Sequence, residues 1–228
     1  MPRPAILFFM TASDALNSPQ NSLPSRTSVL VAAVRAFGSR EPDESVRNPD
    51  SMAELLIGPS ELALIQDHPV STGLMMDYAE ASENPAIMLF AGLMLRRTRF
   101  IDDALERGVK NGATQVVILG AGFDTRAYRF RDLLKNCRVI EVDAASTQAY
   151  KKRRVQEVLH DLPTNLTYST MDLVNDDLID GLRRAKFVSR EKTVYIWEGV
   201  CMHLPENSVL KTLGAIALHS AAGSTLGI

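Results

Sequence analysis

QVVILGAGFDTR, residues 115–126, decides how the rest of the chain reads. Gln115, Val116, Val117, Ile118 and Leu119 form a short apolar run, mostly β-branched. A strand buried on both faces has this continuous pattern, because the central strand of a parallel sheet has no wet side. Gly120-Ala121-Gly122 follows at once, and glycine permits positive φ and leaves room for a ligand against the backbone. Asp124-Thr125-Arg126 then opens a helix with a good capping residue. Strand, glycine turn and helix start build a nucleotide-type cofactor site, but they also build an ordinary structural turn. The motif alone fits both.

Downstream runs favour the site. Arg138-Val139-Ile140-Glu141-Val142-Asp143 is a second apolar run that ends in acid. It lies roughly 20 residues past the glycines, where a doubly wound fold puts the carboxylate that holds a ribose diol. A third run from Leu166 to Met171 ends in Asp172-Leu173, and a fourth, Thr193-Val194-Tyr195-Ile196-Trp197, ends in Glu198-Gly199. In an open α/β sheet the carboxyl ends of the strands line one crevice. Acids strewn over a surface would not keep phase with the strands. By position, Asp143 is assigned to the ribose and Asp172 to an adenine amino group, with Leu173 packing on the ring.

The kind of cofactor follows from two residues. The dinucleotide fingerprint needs a third small residue so that the helix can pack beside a pyrophosphate. Thr125 stands there instead. Asp124 sits at the helix N-terminus, where the dipole favours it but a phosphate would be repelled. A cofactor without phosphate fits better. S-adenosylmethionine has a ribose, an adenine and two cationic groups that suit an acid-lined crevice.

Taken together, seven stretches resemble the leucine carboxyl methyltransferase family of class I S-adenosylmethionine enzymes, including its bacterial and fungal small-molecule members. They are SRTSVLVAAVRA from Ser25, NPDSMAELL from Asn48, RRTRFIDDAL from Arg96, VVILGAGFDTRAYRF from Val116, VIEVDA from Val139, MDL from Met171 and WEGVCMHLP from Trp197. The resemblance implies a Rossmann-like class I methyltransferase fold, α/β, with a mainly parallel sheet and helices on both faces. It implies that Arg97 grips the cofactor's carboxylate, which a planar two-pronged guanidinium does well. Arg97 joins Gly120, Gly122, Asp143, Asp172, Leu173 and Glu198, which the glycine turn and the strand ends already supply, as the expected cofactor residues. Residues 1–95 then read as a helical cap with the acceptor side, and residues 96–228 as the cofactor-binding core. The family fold continues past the fifth strand to an antiparallel edge hairpin. Here a fifth strand begins near Gly223 and the chain ends at Ile228, so the edge strands are expected to be lacking. The exposed strand would be a place for self-association.

The composition is that of an ordinary soluble domain: 228 residues, 46% hydrophobic and 23% charged, with net charge −2. That charge predicts no nucleic acid and no anionic membrane as partner. Cys137 and Cys201 make neither a disulfide framework nor a zinc pattern, and no metal is expected. Both read as small core residues in a cytoplasmic protein. The apolar run at residues 4–10 is too short to span a bilayer and lacks a convincing cleavage site.

Several other stretches bear on function. Ser25 or Thr27 caps a helix reaching Ala36, and Arg35 reads as a solvated charge on it or as a pocket cation. Relatives that act on a phosphatase tail carry a lysine on this helix, where this chain has Val31 and Ala32. Residues 78–94 read as one buried helix. Lys151-Lys152-Arg153-Arg154 reads as a solvated helix face, since no aromatic residue interleaves it. Asn207 reads as the cap of a last helix. His203 replaces the family's usual tyrosine and is either a base toward a hydroxyl acceptor or a polar wall residue. The sequence therefore predicts an O-methyltransferase acting on a carboxylate or hydroxyl of a small molecule, a secondary metabolite, with little or no activity expected from so short a chain. The other readings are a leucine carboxyl methyltransferase of a protein phosphatase, a non-catalytic cofactor-binding fragment and an NAD-dependent oxidoreductase.

Overall fold

The computed structural model describes residues 23–68, 71–159 and 161–228. The apolar run at 4–10 lies outside them. Five parallel strands form one sheet in the order β3-β2-β1-β4-β5. They are β1 Gln115–Leu119, β2 Arg138–Asp143, β3 Leu166–Thr170, β4 Thr193–Ile196 and β5 Thr225–Gly227. This is the expected Rossmann-like α/β sheet, and every residue of β1 is buried. Val117 faces Ile140 on one side and Tyr195 on the other, so β1 is the strand from which the order runs both ways. That switch point opens a crevice at the carboxyl ends of β1 and β4.

Alternate residues of the strands feed two cores, as a period of two requires. Val116, Ile118, Val139, Val194 and Ile196 pack on one face. Val117, Leu119, Ile140, Val142 and Tyr195 pack on the other. Helix α1 is Arg26–Gly38, followed by α2 Met52–Leu56, α3 Pro59–Ala63, α4 Ser71–Leu74, α5 Tyr78–Ser82 and α6 Pro85–Lys110. The remaining helices are α7 Arg126–Arg129, α8 Arg131–Leu134, α9 Ala145–Val158, α10 Leu178–Arg184 and α11 Glu206–His219. Helices α1, α6 and α9 contribute to the first core, α10 and α11 to the second.

Three sequence expectations change here. The single helix over 78–94 is two helices. The Asn84 side chain accepts the N–H of Ala86, Pro85 takes the first turn, and α6 then runs unbroken across the boundary drawn at 95/96. Proline is tolerated at that first position because its missing N–H has no helical partner there. Pro205, not Asn207, occupies the cap position of α11. Lys151 is not solvated: its side chain is 1% exposed and its Nζ lies 2.7 Å from Glu141 Oε2. Only Lys152 and Arg153 of that run are exposed. Among the described residues no helix is long and apolar enough to cross a membrane.

Candidate active site

The glycine turn after β1 is shaped by close approaches. Gly120 and Gly122 have φ of +63° and +44°. A Cβ on Gly120 would stand 2.4 Å from Val200 Cγ2, and one on Gly122 would stand 2.8 Å from Ser28 Cβ. Side chains there would collide with the turn after β4 and with α1. The Gly122 N–H is donated to Asp143 Oδ2 at 2.5 Å, and the Ala144 N–H to Oδ1 at 2.7 Å. Two backbone donors thus fix the carboxylate that ends β2, while burial pushes its pKa up against them.

A cleft of about 220 Å³ opens above this turn. Arg97, Gly120, Gly122, Asp143, Glu198 and His203 line it together. Ser28 and Val31 of α1 form its roof. Helix α1 is held there by its cap, since the Ser25 side chain accepts the N–H of Ser28 and the Ser25 N–H is donated to Thr147 Oγ1. Arg35 also faces the cleft, and it is buried rather than solvated, with 7% exposure. Its Nε is donated to Asp50 Oδ2 and its Nη2 to the Phe123 carbonyl, each at 2.8 Å. A buried guanidinium needs such partners, and the partners lie far off in the sequence.

The electrostatics of the cleft are set by buried ion pairs. Arg97 Nε lies 2.6 Å from Glu198 Oε1, and Arg126 Nη1 lies 2.7 Å from Glu198 Oε2. Arg126 also binds Asp102 at 2.7 Å and the Asp124 carboxylate. The arginines hold Glu198 below the usual carboxylate range although burial opposes them. Asp124, against the same burial, is held at about 2 by Arg126, with Lys151 and Arg35 helping. Asp102 goes the other way: burial lifts its pKa more than Arg126 and Arg129 lower it. Beneath the cleft Glu141 is pushed up to about 7 by burial, despite Lys151.

Two predicted residues lie elsewhere. Asp172 and Leu173 line a smaller hollow of about 80 Å³, together with Asp176 and Lys211. The two are linked through the backbone, since the N–H of Met171, at the hollow, bonds to the carbonyl of Asp143, at the cleft, at 2.9 Å. Asp172 spends its own oxygens on the Val174 N–H and the Asn175 side chain. His203 ends a short 3-10 turn, Cys201–His203, and its Nε2 is buried without a hydrogen-bond partner among the described residues. No group of metal-ligating side chains gathers among the described residues. Sequence reasoning missed Asp102, Arg126 and Arg129. Their charges alternate across helices α6 and α7, and no local pattern pairs them.

The donor set fits S-adenosylmethionine: carboxylates for a diol and cations, a guanidinium for a carboxylate, and a turn with no room for side chains. Comparison with known proteins agrees. A family model described as leucine carboxyl methyltransferase matches residues 28–217. A protein of Streptomyces avermitilis, provisionally named an S-adenosyl-L-methionine-dependent methyltransferase, is 31% identical over 205 residues, covering 89% of this chain and 67% of that relative. A Streptomyces coelicolor protein of the same provisional name is 32% identical over 208 residues, with 89% and 67% covered. One of Frankia alni is 30% identical over 202 residues, again with 89% and 67% covered. The chain thus spans about 67% of the length of these relatives.

Proposed function

The chain belongs to the leucine carboxyl methyltransferase family, whose cofactor is S-adenosylmethionine, and on that premise we propose that it methylates an oxygen of a small molecule. The acceptor is a carboxylate or hydroxyl of the kind found in secondary metabolites. One observation carries the reading: Arg97, Gly120, Gly122, Asp143 and Glu198, drawn from four separate segments, line one cleft beneath α1.

In this reading Arg97 holds the cofactor's carboxylate with the guanidinium edge that Glu198 leaves open. Asp143, fixed by two backbone N–H groups, keeps lone pairs for the ribose hydroxyls. Asp172 and Leu173, one strand over, take the adenine. When bound, the cofactor supplies an electrophilic methyl on a sulfonium; the chain supplies proximity and orientation. A carboxylate acceptor is ionised at neutral pH and needs no base. A hydroxyl acceptor must give up a proton, and His203 is the imidazole beside the cleft that takes it.

Two comparisons test this. A thermal-shift screen should show stabilisation by S-adenosylmethionine and none by NAD or NADP. Labelled methyl transfer should then appear with small carboxylic or phenolic acids and not with a peptide ending in leucine. Stabilisation by NAD alone would mean an oxidoreductase. Transfer to the peptide alone would mean a phosphatase-tail enzyme, and binding without transfer to anything would mean a cofactor-binding module.

A further inference from the structure

We infer that Arg126, which does not line the cleft, is a positioning residue: it clamps Glu198 and thereby keeps Arg97 aimed at the cofactor's carboxylate. The inference rests on the reading of Arg97 given above.

The geometry is a bridge. Glu198 gives Oε1 to Arg97 Nε at 2.6 Å and Oε2 to Arg126 Nη1 at 2.7 Å. One carboxylate therefore spans two guanidiniums. The Arg126 side chain is 4% exposed and that of Arg97 is 29% exposed. Glu198 cannot turn without leaving one of them. Among the described residues the hydrogen bonds of Arg97 use Nε alone, so both of its Nη nitrogens remain for a ligand.

Arg126 is itself held from behind. Its Nε is donated to Asp102 Oδ1, and Arg129 Nη2 reaches both oxygens of Asp102 at 3.0 and 2.9 Å. Arg129 and Arg35 then share Asp50, at 3.3 and 2.8 Å. Helix α1, helix α6, helix α7 and the turn after β4 are tied into one alternating row of charges. Such a row costs desolvation, and its return is a fixed geometry. Remove the clamp, and among the described residues Glu198 keeps only Arg97 as a direct ion-pair partner. It would then draw the guanidinium inward and engage the edge that the ligand needs.

The test is calorimetric binding of two ligands, S-adenosylmethionine and its decarboxylated counterpart, to four chains. The parent should prefer the carboxylated ligand by about tenfold or more, the worth of a charge-assisted hydrogen-bond pair. Arg97→Lys should lose most of that preference. Arg126→Lys, which keeps the charge but not the fork, should lose it too, while weakening the decarboxylated ligand little. Asp102→Asn unseats Arg126 from behind without removing any arginine, and should shift the preference in the same direction. Circular dichroism confirms that each chain is folded. If Arg97→Lys loses the preference while folded Arg126→Lys or Asp102→Asn keeps it, the clamp is refuted and the reading of Arg97 stands. A parent with no preference refutes that reading, and the clamp with it.

Discussion

Arg97 and Glu198 stand 101 positions apart in the chain and meet at 2.6 Å, Nε to Oε1, at the wall of the cleft. The pair joins the middle of α6 to the turn after β4. It brings a cation and an anion to the place where the strand order reverses. An amino-acid-bearing ligand needs one of each there. The pair anchors an arginine whose side chain is 29% exposed.

The glycine turn gives the first prediction. Gly122→Ala must adopt φ near +44° and push its Cβ against Ser28. The backbone alone should cost about 1–2 kcal/mol, and the displaced α1 should weaken cofactor binding as well. Gly112→Ala is the control, with φ of +91° and nothing within 4 Å of the added Cβ. It should lose stability in denaturant melts but bind the cofactor like the parent. Equal binding by the two variants would show that the roof of the cleft does not depend on Gly122.

The second concerns acid. Asp124 has a folded pKa of about 2, below its ordinary 3.8. A lowered carboxylate contributes stability above its unfolded pKa and loses it as pH falls through the folded one. The parent should therefore lose about 2 kcal/mol between pH 4 and 2 from this group. Glu198 adds to the same limb. Asp124→Asn should be less stable at pH 7 and show a flatter acid limb. Urea melts across pH 2–7 read both, and an unchanged acid limb would contradict the assignment.

Third, the pair beneath the cleft is a buried charge with one partner. Lys151→Met leaves Glu141 uncompensated, and should cost about 3–5 kcal/mol at pH 7. Adding Glu141→Gln should restore most of it. Glu141 is raised to about 7 in the folded chain from an ordinary 4.5. A raised carboxylate stabilises fully below its unfolded pKa and less as pH rises through the folded one. Losing Lys151 raises it further, so the penalty should grow as pH rises above 7, where Glu141 ionises in the parent and stays protonated in the variant. Denaturant midpoints of the single and double variants check this.

Much of this arrangement is legible in the residues themselves. The apolar run Gln115–Leu119 has no polar phase because both of its faces are covered, and the acids after β2 and β4 fall at one end of one sheet. Lys151 reads as solvated, and Arg35 as solvated or pocket-facing, because their partners, Glu141 and Asp50, face them only once the chain has folded. On a helix each looks like any surface cation. The break at Pro85 carried a local signal, Asn84 before proline, that the apolar spacing of residues 78–94 concealed. Asp172 lies two residues past the end of β3, where the Val174 N–H and the Asn175 side chain hold its oxygens beside a neighbouring hollow, contacts that no strand pattern announces.

The central claim is that Asp143 and the glycine turn hold S-adenosylmethionine in the cleft under α1. The most direct measurement is calorimetric titration of that cofactor into the parent and into Asp143→Ala. The parent should bind one equivalent saturably, and the variant should lose about 1.5–3 kcal/mol, the worth of hydrogen bonds to a charged carboxylate, while remaining folded. Equal affinity in a folded Asp143→Ala chain, or no heat from the parent at all, would contradict the account.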